Sequence, residues 1–291
     1  GLARTISLFY HFSTNFTVEE LIEPAKKAAN EALKLNPKNS EAYSVLGYVA
    51  AILEWDWSAA EKAFDKSLEL TNEDAEIYNF IGDYYRLVIQ HPKLAIEMES
   101  KALTLDPLHP VNHDDLGMAY ALAKDWENAL KYAQSARELG LNFGGNKELL
   151  LRSYINLGRM KEAENVVKRF DKENADKYVS LYLKAILATA KDQKNVAISH
   201  IENMINYPDI ERYQWIGISF LGLGMNKEAA YWLEKAFDNR EAPFTHITLP
   251  ENLPNDPALQ AVFDKPELNA LFEIRRKYLD VSDSSTQKKF L

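Results

Sequence analysis

The chain has 291 residues, with 34 Lys plus Arg against 43 Asp plus Glu for a formal charge of −9. Its 46% apolar and 26% charged residues are an ordinary globular composition, not that of a disordered polymer or a membrane protein. The lack of cysteine excludes a disulfide framework, a thiolate zinc finger, an iron–sulfur cluster and a cysteine nucleophile, and the acidic balance argues against a broad phosphate-binding surface.

The chain opens on Gly1 with no charged-then-apolar leader, which reads as a cloning scar or the cut edge of a longer protein. An irregular helix pair is expected over 1–39. It comprises an apolar helix from about 3 to 12, a polar link through Ser13-Thr14-Asn15, and a helix from about 17 to 35. Thr17-Val-Glu-Glu20 has the form of a capping box, in which Thr17 accepts from an orphan backbone N–H and Glu20 reaches back.

From residue 40 the chain repeats itself. Ala25, Ala60, Ala95, Ala129, Ala163, Ala197 and Ala229 stand 35, 35, 34, 34, 34 and 32 residues apart. Such a period specifies a stack of small supersecondary units. Upstream of the alanines lies a pattern of aromatic, two residues, apolar, Gly: Tyr43-Ser-Val-Leu46-Gly47, Tyr78-Asn-Phe-Ile81-Gly82 and Tyr213-Gln-Trp-Ile216-Gly217, with His113 replacing the aromatic before Leu116-Gly117. A helical Gly costs about 1 kcal/mol relative to Ala. Its recurrence in register predicts a close approach of the paired helix, with the repeating alanine as the facing small surface. Pro37 and Pro107 mark unit ends, while Gly158 and Gly224 fall at turns between paired helices. Repeats one and two carry an extra residue before that turn, around Trp55-Asp56-Trp57 and Gln90-His91-Pro92. The expected units are 40–74, 75–109, 110–143, 144–174, 175–208 and 209–240.

Five of the 11 prolines then fall between Pro243 and Pro266. Helices do not run through that density, so 241–255 reads as an extended connector carrying Phe244, Ile247 and Leu249. Two helices are expected over 256–280, each with Pro in its first turn, capping the exposed face of the last repeat. Residues 281–291 read as a disordered tail. The basic runs Arg275-Arg276-Lys277 and Lys288-Lys289 read as a solvated helix end and tail.

The spacing, together with Leu116-Gly117, Tyr120, Asp125-Trp126, Ala129 and Ala136 in the third unit, resembles the tetratricopeptide repeat (TPR), a helix–turn–helix unit. The resemblance covers about residues 1 to 240. It implies an all-α, right-handed superhelix of about seven antiparallel helix pairs with a C-terminal helical cap. Trp55-Asp56-Trp57-Ser58-Ala59-Ala60-Glu61 and the ending from Leu249 to Leu271 resemble repeat arrays of bacterial multidomain signalling proteins, C-terminal to a winged-helix or class III adenylate cyclase domain. That implies a regulatory portion whose output domain lies before Gly1, in a cytoplasmic protein.

The side chains for chemistry are sparse. Of six histidines, only His109 and His113 are close, and Pro110 separates them at a repeat boundary, so capping and packing explain the pair better than metal. The glycine-rich phosphate-binding, Gly-x-Ser-x-Gly and His-Glu-x-x-His motifs are missing. No catalytic residue, cofactor or metal site is therefore expected. The longest apolar run, Tyr48 to Leu53, is far short of the roughly 20 residues that span a bilayer. The repeat phase places Glu41, Ser44, Tyr48, Ala51, Glu76, Asn79, Asp83, Arg86, Val111, Asp114, Met118, Ala121, Glu148, Arg152, Ile155, Tyr182, Ile186, Thr189, Glu211, Gln214, Ile218 and Leu221 on the inner face of the stack. The N-terminal half of that face is acidic, which disfavours the carboxylate clamp of chaperone-binding TPR proteins. The expected partner is a neutral or basic, partly apolar polypeptide segment, from the chain's own missing domain or from a second copy, with no nucleic acid or membrane. The competing readings are a small-ligand sensor at Arg152, Tyr182 and Ile186, and a complete hydrolase.

Overall fold

The computed structural model describes residues 18–71, 73–141, 144–173, 176–208, 212–241 and 254–280. The expected helix at 3–12, Thr17 of the capping box, the connector residues 242–253 and the tail 281–291 lie outside the described residues. Among the described residues the chain is all-helical. Its helices are α1 (Val18–Leu35), α2 (Ser40–Tyr48), α3 (Trp57–Leu70), α4 (Ala75–Asp83), α5 (Pro92–Leu105), α6 (Pro110–Leu122), α7 (Trp126–Glu138), α8 (Gly144–Asn156), α9 (Met160–Lys172), α10 (Lys177–Ala190), α11 (Lys194–Ile205), α12 (Tyr213–Gly222), α13 (Asn226–Asp238), α14 (Pro257–Phe263) and α15 (Pro266–Asp280). The pairs α2/α3, α4/α5, α6/α7, α8/α9, α10/α11 and α12/α13 pack against each other. The described residues fall into two compact units, those up to 107 with those from 267 onward, and those from 108 to 266.

Local chemistry sets the helix limits. Asn39, Asp56, Asp74, Asp125, Asp176 and Asp256 each accept a backbone N–H from the first turn of the helix that follows. His91 does the same for α5 through Nδ1, 3.2 Å from the Leu94 nitrogen, with Pro92 at the first helical position.

The register glycines are contact points, and at Gly47, Gly82 and Gly217 the partner is one helical turn beyond the alanine that marks the phase. A Cβ on Gly47 would lie 2.7 Å from ring carbons of Phe64, and one on Gly217 would lie 2.8 Å from Leu233 Cγ. At Gly82 it would overlap the Glu99 carboxylate, and at Gly117 it would press on Leu149 Cδ2 at 3.0 Å, on the carbonyl oxygen of the phase-marking Ala129 at 3.2 Å and on the Ala133 nitrogen at 3.3 Å. Ala60, Ala95, Ala129, Ala163, Ala197 and Ala229 are wholly buried beside these contacts.

The extra residue in the first two repeats is absorbed as a wider turn of helix. α2 runs into a π-helical segment at Val49–Glu54 and α4 into another at Tyr84–Ile89. The closing bonds run from Asp56 N to Ala50 O at 2.8 Å and from His91 N to Tyr85 O at 2.9 Å. Later units close over one residue fewer, from Asp125 N to Tyr120 O at 3.0 Å and from Arg159 N to Tyr154 O at 2.8 Å. In every unit one residue of the turn is left-handed: Trp55, Gln90, Lys124, Gly158, Asp192 and Gly224, with φ between 56° and 71°.

The two expected cap helices part company. α14 packs on α13 in the second unit, whereas α15 belongs to the first. There the Arg275 side chain, 2% exposed, donates from Nε to the Val88 carbonyl in the π-helical segment at 2.7 Å. Arg275 is therefore a core residue and not part of a solvated helix end. Burial pushes its guanidinium down to about 9. Tyr278 donates to Glu61 Oε1 at 2.6 Å and packs its ring edge-on against Tyr85 at 5.8 Å.

Candidate functional site

The first helices of the repeats carry the residues that the phase turns inward. In the first unit most of these are engaged within the fold. Tyr48 is fully buried, with its ring 4.7 Å from that of Phe80. Asp83 is 6% exposed and ion-paired with Arg86 one turn on. Asn79 donates to the buried Glu99 at 3.3 Å. Glu41 and Glu76 sit half-buried in the first turns of α2 and α4, where the helix dipole favours carboxylates. The acidic inner face expected from the sequence thus loses Asp83 to the core.

In the second unit, Asp114 is 1% exposed and accepts from Asn146 Nδ2 at 2.7 Å, while Met118 is half-buried against the core. A depression of about 360 Å³ opens farther along, between α8, α10 and α12. Arg152, Ile155, Tyr182, Ile186, Thr189, Ile218 and Leu221 line it, as do Asn156, Ala185, Ala190, Ser219 and Gly222. The geometry follows from spacing: 182, 186 and 189 share one face of α10, and the same face of each neighbouring first helix adds its own residues.

A hydrogen-bonded triad sits at one end of the depression. Arg152 Nε donates to Glu148 Oε1 at 2.7 Å and Nη2 to the Tyr182 hydroxyl at 3.2 Å, while that hydroxyl donates to Glu148 Oε1 at 3.0 Å. Tyr182 lies flat on Trp215, with ring centroids 4.6 Å apart and planes 5° from parallel. Burial raises the Tyr182 hydroxyl above its ordinary value, and the adjacent Glu148 charge adds to this. Burial opposes the charge on Arg152, but Glu148 and Tyr182 outweigh it and hold the guanidinium protonated. The arrangement is a fixed cation at the edge of an aliphatic hollow. Sequence phase brings Arg152 and Tyr182 to one face, but the stacking on Trp215 has no signal beyond the recurrence of aromatics.

No group of three or more His, Asp or Glu side chains suited to a metal ion occurs among the described residues. No helix among them is long and apolar enough to cross a membrane.

No protein-family sequence model matches the chain, and no curated protein matches it in sequence. Solved structures do match in fold. A tetratricopeptide repeat protein from Parabacteroides merdae aligns with a TM-score of 0.58 at 15% identity, over 94% of this chain and 97% of that one. The type IV pilus biogenesis factor PilW aligns at 0.56 and 19% identity, over 71% of this chain and 94% of its own. PilF of Pseudomonas aeruginosa aligns at 0.53 and 18%, over 72% and 94%. At these identities the likeness is one of fold, and the fold is that of tetratricopeptide helical repeats.

Proposed function

We propose that the chain is a non-catalytic helical-repeat scaffold that binds a polypeptide segment along its inner face, as the regulatory portion of a larger cytoplasmic bacterial signalling protein. The observation that carries this reading is the hollow between α8, α10 and α12, where three successive first helices leave Ile155, Ile186, Ile218 and Leu221 partly accessible side by side. Contiguous apolar surface of this kind marks an interaction site. The likeness to solved structures supports the helical-repeat fold of such a scaffold, and the resemblance of Trp55-Asp56-Trp57 and the C-terminal helices to signalling arrays supplies the setting. A library of extended peptides titrated against the whole chain tests it. Partly apolar peptides that are neutral where they meet Arg152 should bind, and Ile186→Glu should weaken them at least about tenfold. Absence of any peptide binding by the unaltered chain removes the reading, and turnover abolished by a single side-chain change would replace it with an enzyme.

The volume of the same hollow favours a second reading, a small-ligand sensor, because about 360 Å³ lies within the usual range of small-molecule pockets. A metabolite that raises the melting temperature where peptides do not would select it.

A further inference from the structure

The small-ligand reading can be given a chemistry. We propose that the hollow in the second unit binds a short aliphatic carboxylate, with its head on Arg152 and its tail against Ile186, Ile218 and Leu221. The inference rests on the small-ligand reading and specifies its ligand class.

The Arg152 guanidinium has five N–H donors in a rigid plane. Its side edge is spent: Nε donates to Glu148 and Nη2 to Tyr182. What remains is the end edge, with both Nη1 hydrogens and the outer hydrogen of Nη2. Two parallel donors in one plane suit a two-oxygen planar anion. Arg152 lines the hollow and its side chain is 37% exposed in all, and the end edge is the part of the guanidinium outside the bonds to Glu148 and Tyr182.

The rest of the lining asks for hydrocarbon. Its other donors are turned onto their own helices: Asn156 Nδ2 to the Arg152 carbonyl at 2.8 Å, Thr189 Oγ1 to the Ala185 carbonyl at 2.8 Å, and Ser219 Oγ to the Trp215 carbonyl at 2.7 Å. A ligand therefore meets one fixed cation, the exposed amide of Asn156 and otherwise a mostly aliphatic surface. A second ammonium would be repelled by Arg152, and a neutral amide would forgo the charge-assisted bond.

Glu148 and Tyr182 act as positioning residues. They hold the guanidinium plane, and Trp215 holds Tyr182, so little ordering is left for the ligand to pay. The bound carboxylate lies across the guanidinium from Glu148, so attraction at contact exceeds the more distant repulsion. The acidic residues that disfavour a carboxylate elsewhere, Glu41 and Glu76, belong to the first unit.

The test is calorimetric titration of the whole chain with 4-methylpentanoate, 4-methylpentanamide and 4-methylpentylamine. The acid should bind with a Kd of roughly 1 mM or tighter, the amide about tenfold or more weakly, and the amine not at all. Arg152→Gln should weaken the acid about tenfold or more while leaving the amide within about twofold. Should that variant melt early, salt decides on the unaltered chain. Between about 50 and about 500 mM the acid should lose affinity and the amide should not. Equal binding of acid and amide overturns the carboxylate assignment while leaving a small-ligand site in place. No saturation by the acid below about 10 mM also overturns it. The small-ligand reading falls separately if a broad metabolite panel produces no thermal shift.

Discussion

Gly47 leaves the space that the Phe64 ring fills, since a Cβ at 47 would lie 2.7 Å from two of its ring carbons. Phe64 is 2% exposed and held on its other side by Tyr84 at 5.6 Å, so it has little room to retreat. Gly47→Ala should destabilise by about 1–3 kcal/mol despite the better helix propensity of Ala. Chemical denaturation measures the change, and a gain in stability would show that the ring can move.

The left-handed turn residue gives the opposite experiment, in which backbone conformation matters and packing does not. Gly158 has φ 71° and nothing within 4 Å of where a Cβ would stand, while Lys124 occupies the same place one unit earlier at φ 61°. Gly158→Ala should cost about 1 kcal/mol and Lys124→Gly should gain up to about 1 kcal/mol. Thermal melts of the two variants should move in opposite directions.

Arg275 and Val88 tie α15 to the second π-helical segment. Arg275→Ala removes a buried side chain and its bond to the carbonyl, and should cost at least about 2 kcal/mol. Hydrogen exchange should localise the effect to 84–89 and 266–280, with α8 to α13 keeping their protection. Uniform loss of protection would mean that the two units unfold as one.

His91 should make the first unit sensitive to mild acid. Its Nδ1 accepts the Leu94 N–H, and burial holds the imidazole below its ordinary value of 6.5. The unfolded chain therefore binds the proton more readily than the folded one. The stability that His91 contributes is present above about pH 6.5 and is lost as the pH falls from there towards the folded-state value. Protonation also removes the cap, worth about 1 kcal/mol. His91→Asn, which caps without titrating, should melt with a shallower pH dependence between about pH 7 and 5. Burial lowers His200 in the same direction, so some pH dependence will persist.

The repeat was readable because glycine and alanine recur where helices touch, a constraint each unit imposes on its own sequence. The contact itself was only half readable, because the phase alanine meets the glycine at Gly117, through the Ala129 carbonyl, while at Gly47, Gly82 and Gly217 it is Phe64, Glu99 and Leu233, one turn on, that do so. That Ile155, Ile186 and Ile218 line one depression follows from the repeat phase, because successive first helices present the same face. The burial of Tyr48, Asp83 and Asp114 was not, since it depends on neighbours the repeat phase does not specify. An added residue was evident at Trp55 and Gln90 as length, but length alone does not say that it widens a helix. Arg275 sits in a basic run that has the composition of solvated surface, and its partner is 187 residues away, beyond the reach of any local pattern.

That separation bears on how the protein is made. A repeat stack assembles from contacts between neighbours, so each unit can settle soon after it leaves the ribosome. Here the first unit lacks its α15 until the chain has been translated 187 residues past Val88, and the surface around Tyr85 and Glu61 stays uncovered meanwhile. Synthesis from the N-terminus therefore finishes the earlier-made unit later, leaving the first repeats as the stretch most in need of protection during translation.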